Sequence, residues 1–115
     1  MKKLQYSPDA IEKLHEIKRD IAARYGDKKA KAVIHEMTKS FRDLQQFEYK
    51  GPSVEKLIGI PCDYRMLYVQ HNYVFYHIED TVVRIIDIYN EREDFMWKLF
   101  SIRTTTQETD DYWDE

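Results

Sequence analysis

DYRMLYVQHNYVFYHIEDTVVRIIDIYNERED, residues Asp63–Asp94, decides the fold of this 115-residue chain. It is rich in aromatic and β-branched residues and divides into three runs, Tyr64–Gln70, Tyr73–Glu79 and Val82–Tyr89. Their length and composition are those of strands, since Val, Ile, Tyr and Phe suit a pleated, half-buried surface. Only His71-Asn72 and Asp80-Thr81 remain between the runs as turns, so neighbouring strands pair antiparallel as hairpins. Alternation at period two gives each strand two faces. Val74, Tyr76 and Ile78 share one face of the second strand; Tyr73, Phe75, His77 and Glu79 share the other. In the third strand Arg84 goes with Ile86 and Ile88, and Asp87 goes with Val83, Ile85 and Tyr89. Neither face is purely polar, which predicts helices on one face and a working surface on the other.

Upstream, Lys3–Tyr6 reads as a short strand. Ser7-Pro8-Asp9 then opens a helix: Ser7 supplies an N-cap oxygen, and Pro8 occupies a position where its missing N–H costs nothing. Ile11, Leu14, Ile17, Ile21 and Tyr25 follow at spacings of three and four, a single apolar stripe along Pro8–Tyr25. Gly26 ends that helix in a left-handed conformation and Asp27 caps the next, Lys28–Glu48, whose stripe runs through Ala30, Val33, Ile34, Met37, Phe41, Leu44 and Phe47. The two form an αα-hairpin. Gly51-Pro52 breaks the chain, and Ser53–Pro61 connects to the strands with Val54, Leu57, Ile58 and Ile60 packed across the sheet edge. Downstream, Glu91–Phe100 reads as a short helix with Phe95, Leu99 and Met96 facing inward. The order is β-α-α-β-β-β-α, an α+β fold with an antiparallel sheet carrying the hairpin on one face.

Composition bounds the rest. With 43% hydrophobic and 14% aromatic residues the chain can bury a core without staples, and its lone Cys62 permits neither an internal disulfide nor a cysteine-based zinc site. No run approaches the roughly 18 apolar residues of a membrane span, and the N-terminus lacks the apolar centre of a signal peptide. The expectation is a cytoplasmic protein without membrane contact, metal or cofactor. The net charge is −3, unevenly spread: Ser101–Glu115 holds Glu108, Asp110, Asp111, Asp114 and Glu115 against Arg103, so this tail carries −4 and residues 1–100 carry +1. The division is a domain over 1–100 and an acidic tail over 101–115, which reads as mobile. A near-neutral body does not advertise nucleic-acid binding. Lys28, Lys29 and Lys31 most simply form the solvated face of the second helix.

Three pieces of this chain resemble the RelE/ParE superfamily of bacterial toxins from type II toxin–antitoxin modules, and in particular its ParE-like, plasmid stabilisation branch. They are the opening strand with Ser7-Pro8-Asp9-Ala10 and the hairpin; Ile58-Gly59-Ile60-Pro61 leading into Asp63-Tyr64-Arg65 and Asn72-Tyr73-Val74-Phe75-Tyr76; and the last strand running into Asn90-Glu91-Arg92-Glu93-Asp94-Phe95. The resemblance covers roughly 3–100. It implies a growth-arresting toxin silenced by a cognate antitoxin, with two activities on one scaffold. RelE-like members cut mRNA on the ribosome without a metal; ParE-like members poison DNA gyrase. The first expectation is ribosome-dependent mRNA cleavage, with non-enzymatic gyrase inhibition as the alternative and a non-toxic interaction domain as the third reading.

Carried over by motif, Arg65 and Arg92 are the catalytic candidates; as charged and aromatic residues of the strands, Arg84, Tyr73 and Tyr89 are the candidates for RNA or partner binding. An enzyme of this kind needs positive charge aimed at the developing phosphorane, which predicts a basic pocket formed by Arg65, Arg84 and Arg92. The chain departs from the nuclease pattern at Leu67, Tyr73, Asn90 and Glu93, where the family carries basic or imidazole groups. Histidine as a residue type can serve as a general base, but for His71 and His77 a turn residue and a sheet-face residue are the simpler readings. For the tyrosines, core and rim packing with a wet hydroxyl outweighs base stacking. Leu14→Asp is expected to abolish the cooperative thermal transition, because it sets an unpaired charge into the helix stripe; a variant that melts like the wild type would place that stripe outside the core.

Overall fold

The computed structural model describes residues 1–93 and 95–100, except for the side chains of 96 and 97. The acidic tail and the inward-facing role of Met96 therefore lie outside the described residues. The elements are β1 (Lys3–Tyr6), α1 (Pro8–Tyr25), α2 (Asp27–Asp43), α3 (Val54–Ile58), β2 (Arg65–Val69), β3 (Asn72–Ile78), β4 (Val82–Asn90) and α4 (Phe95–Phe100). The strands lie in the order β1-β4-β3-β2. β2, β3 and β4 pair antiparallel as expected. β1 joins the free edge of β4 in parallel, Lys3 opposite Val82 and Tyr6 opposite Ile85, so the sheet is mixed rather than wholly antiparallel. This direction brings Ser7, the residue after β1, to the middle of β4.

Ser7 bonds both to β4 and to the first turn of α1. Its N–H donates to the Ile85 carbonyl at 2.9 Å, its hydroxyl donates to the Ile86 carbonyl, and its oxygen accepts from the Ala10 N–H at 3.0 Å as the N-cap of α1. The Ile86 carbonyl is available because β4 bulges at this point: Tyr76 pairs with Ile85, but Phe75 pairs with Asp87, leaving Ile86 as the extra residue. A bulge reverses the facing of everything beyond it. Asp87 therefore does not share a face with Val83 and Ile85, contrary to simple alternation. Ile88 takes that place.

α1 and α2 cover one face. Ala10, Val33, Met37, Phe41 and Leu44 meet Val74, Tyr76, Val83, Ile85 and Ile88 in the main core, with Leu14, Ile17 and Ile21 packed at its margin. Gly26 joins the helices without a loop: its N–H closes α1 on the Ala22 carbonyl at 2.9 Å and its own carbonyl accepts from Ala30 at 3.2 Å. Its φ of +93° suits a residue without a Cβ, although it is not the left-handed helical cap expected, and Asp27 is the first residue of α2 rather than its cap. α2 also ends before Glu48. The chain tightens into i→i+3 bonds from Leu44 to Phe41 and Gln45 to Arg42, which keeps Leu44 in the core and leaves Phe47 exposed.

Next comes a close crossing. Gly51 passes β2 so nearly that a Cβ would stand 2.5 Å from the Met66 carbonyl oxygen. The buried Tyr76 hydroxyl accepts from the Gly51 N–H at 2.9 Å and donates to the Glu48 carbonyl at 2.8 Å. The connector holds a turn of helix, α3, of which Val54 is buried while Leu57 and Ile58 are exposed, so only part of its apolar set packs. The β2–β3 turn falls on Gln70 and His71, at φ of +49° and +63°, one residue earlier than the sequence reading. Asn72 belongs to β3, and its buried amide holds the turn by donating to the Gln70 carbonyl at 2.7 Å. Among the described residues no helix is long and apolar enough to cross a membrane. Ser7→Ala is expected to cost about 1–2 kcal/mol in urea titration, the value of a lost cap; an unchanged midpoint would mean that the bulge holds without the serine.

Candidate interaction site

The sequence candidates do not converge. Arg65 lies opposite Tyr76 on the helix-bearing side, where its Nε donates to the Gly51 carbonyl at 2.6 Å and its guanidinium sits 5.2 Å from the centre of the Tyr49 ring. It fastens the segment between α2 and α3. Arg84 lies opposite His77 and donates through Nε to Glu79 at 2.9 Å. Arg92 is exposed beyond the far end of β4. The three guanidinium groups thus occupy different parts of the sheet and share no pocket. Tyr73 is half-buried, its ring 5.2 Å from Tyr68 and 5.3 Å from Phe95. Tyr89 is buried.

On the second face the strands build a layer of rings. Phe75, Tyr89 and Val54 are its buried centre; Tyr64, Met66 and Tyr73 surround them, and Phe95, Leu99 and Phe100 of α4 pack on top. Phe75 touches Phe95 at 5.2 Å between ring centres and Tyr89 at 5.9 Å. The face expected to be a working surface is thus partly closed by the last helix.

Two polar clusters sit where β4 ends, and neither was legible in the sequence. β1 stops opposite Ile85, so the edge of β4 beyond it has no strand partner, and Lys13 of α1 reaches over it. Its ammonium donates to the Ile88 carbonyl at 3.0 Å, lies 3.5 Å from Asp87 and stands 4.2 Å from the centre of the Tyr89 ring. The Tyr89 hydroxyl donates to Asp87 Oδ2 at 2.8 Å, and the Ile88 N–H donates to Oδ1 at 2.8 Å. Burial, followed by the hydrogen bond to the Asp87 carboxylate, pushes the Tyr89 phenol well above its ordinary value. In the second cluster Tyr68 donates to Glu91, and His71 Nδ1 lies 3.2 Å from the same carboxylate. The hydrogen bond from Tyr68, followed by His71, holds Glu91 below the usual carboxylate range. The Glu91 N–H also donates to the His71 carbonyl at 2.9 Å, so this cluster ties the β2–β3 turn to the segment entering α4. Both clusters, with Arg92, border a groove of about 750 Å³ whose opposite wall includes Asp20, Arg24 and Lys29 of the helical hairpin. The usable signal for the clusters is the bulge, which the sequence does not mark.

Burial raises Tyr6, Tyr76 and Tyr89 above the ordinary phenol value. In the unfolded chain these phenols ionise near pH 10. The folded chain keeps their protons longer, so the stability they contribute is complete below about pH 10 and is lost as the pH rises beyond it. Urea midpoints are expected to fall between about pH 9 and pH 11, and Tyr89→Phe to reduce that fall while costing about 1–3 kcal/mol at neutral pH by leaving Asp87 short of a partner. An alkaline loss identical in wild type and Tyr89→Phe would contradict this assignment.

The family model for the ParE toxin of type II toxin-antitoxin system, parDE, matches residues 4–95. Among solved structures, a chain of the "Chromosomal ParDE TA system from P. aeruginosa" superposes with a TM-score of 0.66 at 18% identity, over 78% of this chain and 96% of that one, a likeness of fold. A search of the curated proteins finds no match. The matched span runs from β1 to the start of α4 and takes in both the hairpin and the whole sheet. The chain belongs to the ParE toxin family and is the toxin component of a type II toxin–antitoxin system, with a cognate antitoxin as its partner.

Proposed function

We propose that this toxin arrests growth by binding its target rather than by cutting RNA, and that the target is DNA gyrase. The observation that carries the reading is the position of Arg65. A guanidinium hydrogen-bonded to the Gly51 carbonyl and set against Tyr49 is committed to the fold, and Arg84 is paired with Glu79 on the other side of the sheet. Metal-free RNA cleavage depends on cations and acid–base groups preorganised around one phosphate. The dispersed arginines speak against such a centre and for a surface that works by contact, as the resemblance to the gyrase-poisoning branch implies.

Expression without antitoxin is expected to stop growth while primer extension finds translated mRNA intact, and the purified protein to inhibit supercoiling by gyrase. Cleaved mRNA with unimpaired supercoiling would overturn the proposal. Arg65→Ala is expected to lower the melting temperature and toxicity together, because it releases the crossing at Gly51; an Arg65→Ala protein of wild-type stability and no toxicity would restore Arg65 as a functional residue.

A further inference from the structure

The charge of this chain is concentrated where its overall balance conceals it. The last two turns of α1 and the first turn of α2, residues 18–31, hold Lys18, Arg19, Arg24, Lys28, Lys29 and Lys31 against Asp20 and Asp27, a net charge of +4 in a chain of −3. Gly26 joins the two helices directly, so all six cations gather at one end of the hairpin. Every one of them is exposed, and among the described residues none has a carboxylate within salt-bridge distance, whereas Lys2, Lys13, Arg84 and Lys98 each do. Ala30 is fully buried and Val33 nearly so, which seals the helices together and leaves the charged side chains outside. Fold stability gives no reason for this arrangement: unpaired like charges on adjoining turns repel one another.

We infer that the tip of the α1–α2 hairpin is a binding surface for the phosphate backbone of duplex nucleic acid. The inference stands apart from the gyrase proposal and holds whichever target the toxin has. A duplex carries about one negative charge per 1.7 Å of axis, and cations placed on it release condensed counterions, so a small convex cluster of lysine and arginine gains affinity without a fitted pocket. A single strand is held instead by several stacking rings. The tip offers only Tyr25, 71% exposed, while the other described rings lie mostly in the two cores and the connector. An acidic polypeptide would need apolar anchors in desolvated pockets, and apart from Tyr25 the exposed residues of the tip are charged or small. Helical pairs of this width, roughly 20 Å across, reach phosphates on either side of a groove.

The test measures fluorescence anisotropy of the full-length protein with a labelled DNA duplex of mixed sequence, over a series of salt concentrations. Parallel arms use an RNA duplex of the same sequence, the single DNA strand, and polyglutamate as a competitor. Four phosphate contacts give a slope of log affinity against log salt of about −3.6. The variant Lys28→Gln/Lys29→Gln/Lys31→Gln keeps good helix formers and is expected to fold normally by circular dichroism. It is expected to bind about tenfold or more weakly at low salt and to lower the slope by about 2–3, whereas Lys39→Gln/Lys56→Gln, at exposed positions outside the tip, binds as the wild type. Comparable binding of DNA and RNA duplexes identifies the backbone as the ligand; binding of one alone narrows it to that duplex. No binding at low salt, equal binding by the triple variant, preference for the single strand, or displacement by polyglutamate at equal charge would overturn the inference.

Discussion

The facing of the far half of β4 depends on its extra residue, and with it the composition of both cores. Up to Ile85 the strand alternates in the ordinary way, with Val83 and Ile85 toward the helices and Arg84 toward the second face. Were alternation to continue, Asp87 would enter the aliphatic core and Ile88 would leave it. The bulge at Ile86 exchanges them. Ile88 completes the main core, Asp87 meets Tyr89 at the margin of the aromatic layer, and the displaced Ile86 carbonyl accepts the Ser7 hydroxyl. A buried carboxylate without donors would cost several kcal/mol. Here it receives the Tyr89 hydroxyl and the Ile88 N–H and has the Lys13 ammonium close by.

The crossing at Gly51 explains why one basic residue reads differently in sequence and in space. Arg65 stands at the start of a strand in a toxin-like motif, and position alone suggests phosphate contact. Its environment is set by the crossing of Gly51, which brings the carbonyls of Glu48, Tyr49 and Gly51 against the sheet. Carbonyls turned away from water need donors. Tyr76 supplies one hydroxyl, and the Arg65 guanidinium supplies a planar set that a lysine would not match. Its charge is therefore used to close the chain on itself, and among the described residues the largest group of unpaired cations lies elsewhere, on helix surfaces that carry no recognisable motif.

What could be read beforehand follows from how local each signal is. α1 was legible to the residue at both ends, because Ser7-Pro8 and Gly26 act on the backbone of their own neighbours. The three hairpin strands were legible within a residue or so for the same reason. The parallel pairing of β1 was not, since nothing within Lys3–Tyr6 records that its partner is 79 residues away. The turn at Gln70-His71 was displaced because neither residue is a usual one for positive φ, and the holding group is the Asn72 side chain. The site was the least legible part. Lys13, Asp87 and Tyr89 come from distant positions and meet only through the bulge, while Arg65, Arg84 and Arg92 are held apart by facing and by the length of β4.

Sheet position also sorts the molecule by how firmly its parts are held. β3 is the central antiparallel strand, and Val74, Phe75 and Tyr76 are fully buried in succession because both of its faces are covered. The two coverings are unequal. On one side stand helices of 18 and 17 residues joined through Gly26; on the other, α4 has six. A helix so short does not form in water by itself. It exists because Phe95, Leu99 and Phe100 find the rings of Tyr64, Tyr73 and Phe75, and rings give the largest buried area per residue that so small an element can present. The aromatic composition of the second face is thus the counterpart of the brevity of α4.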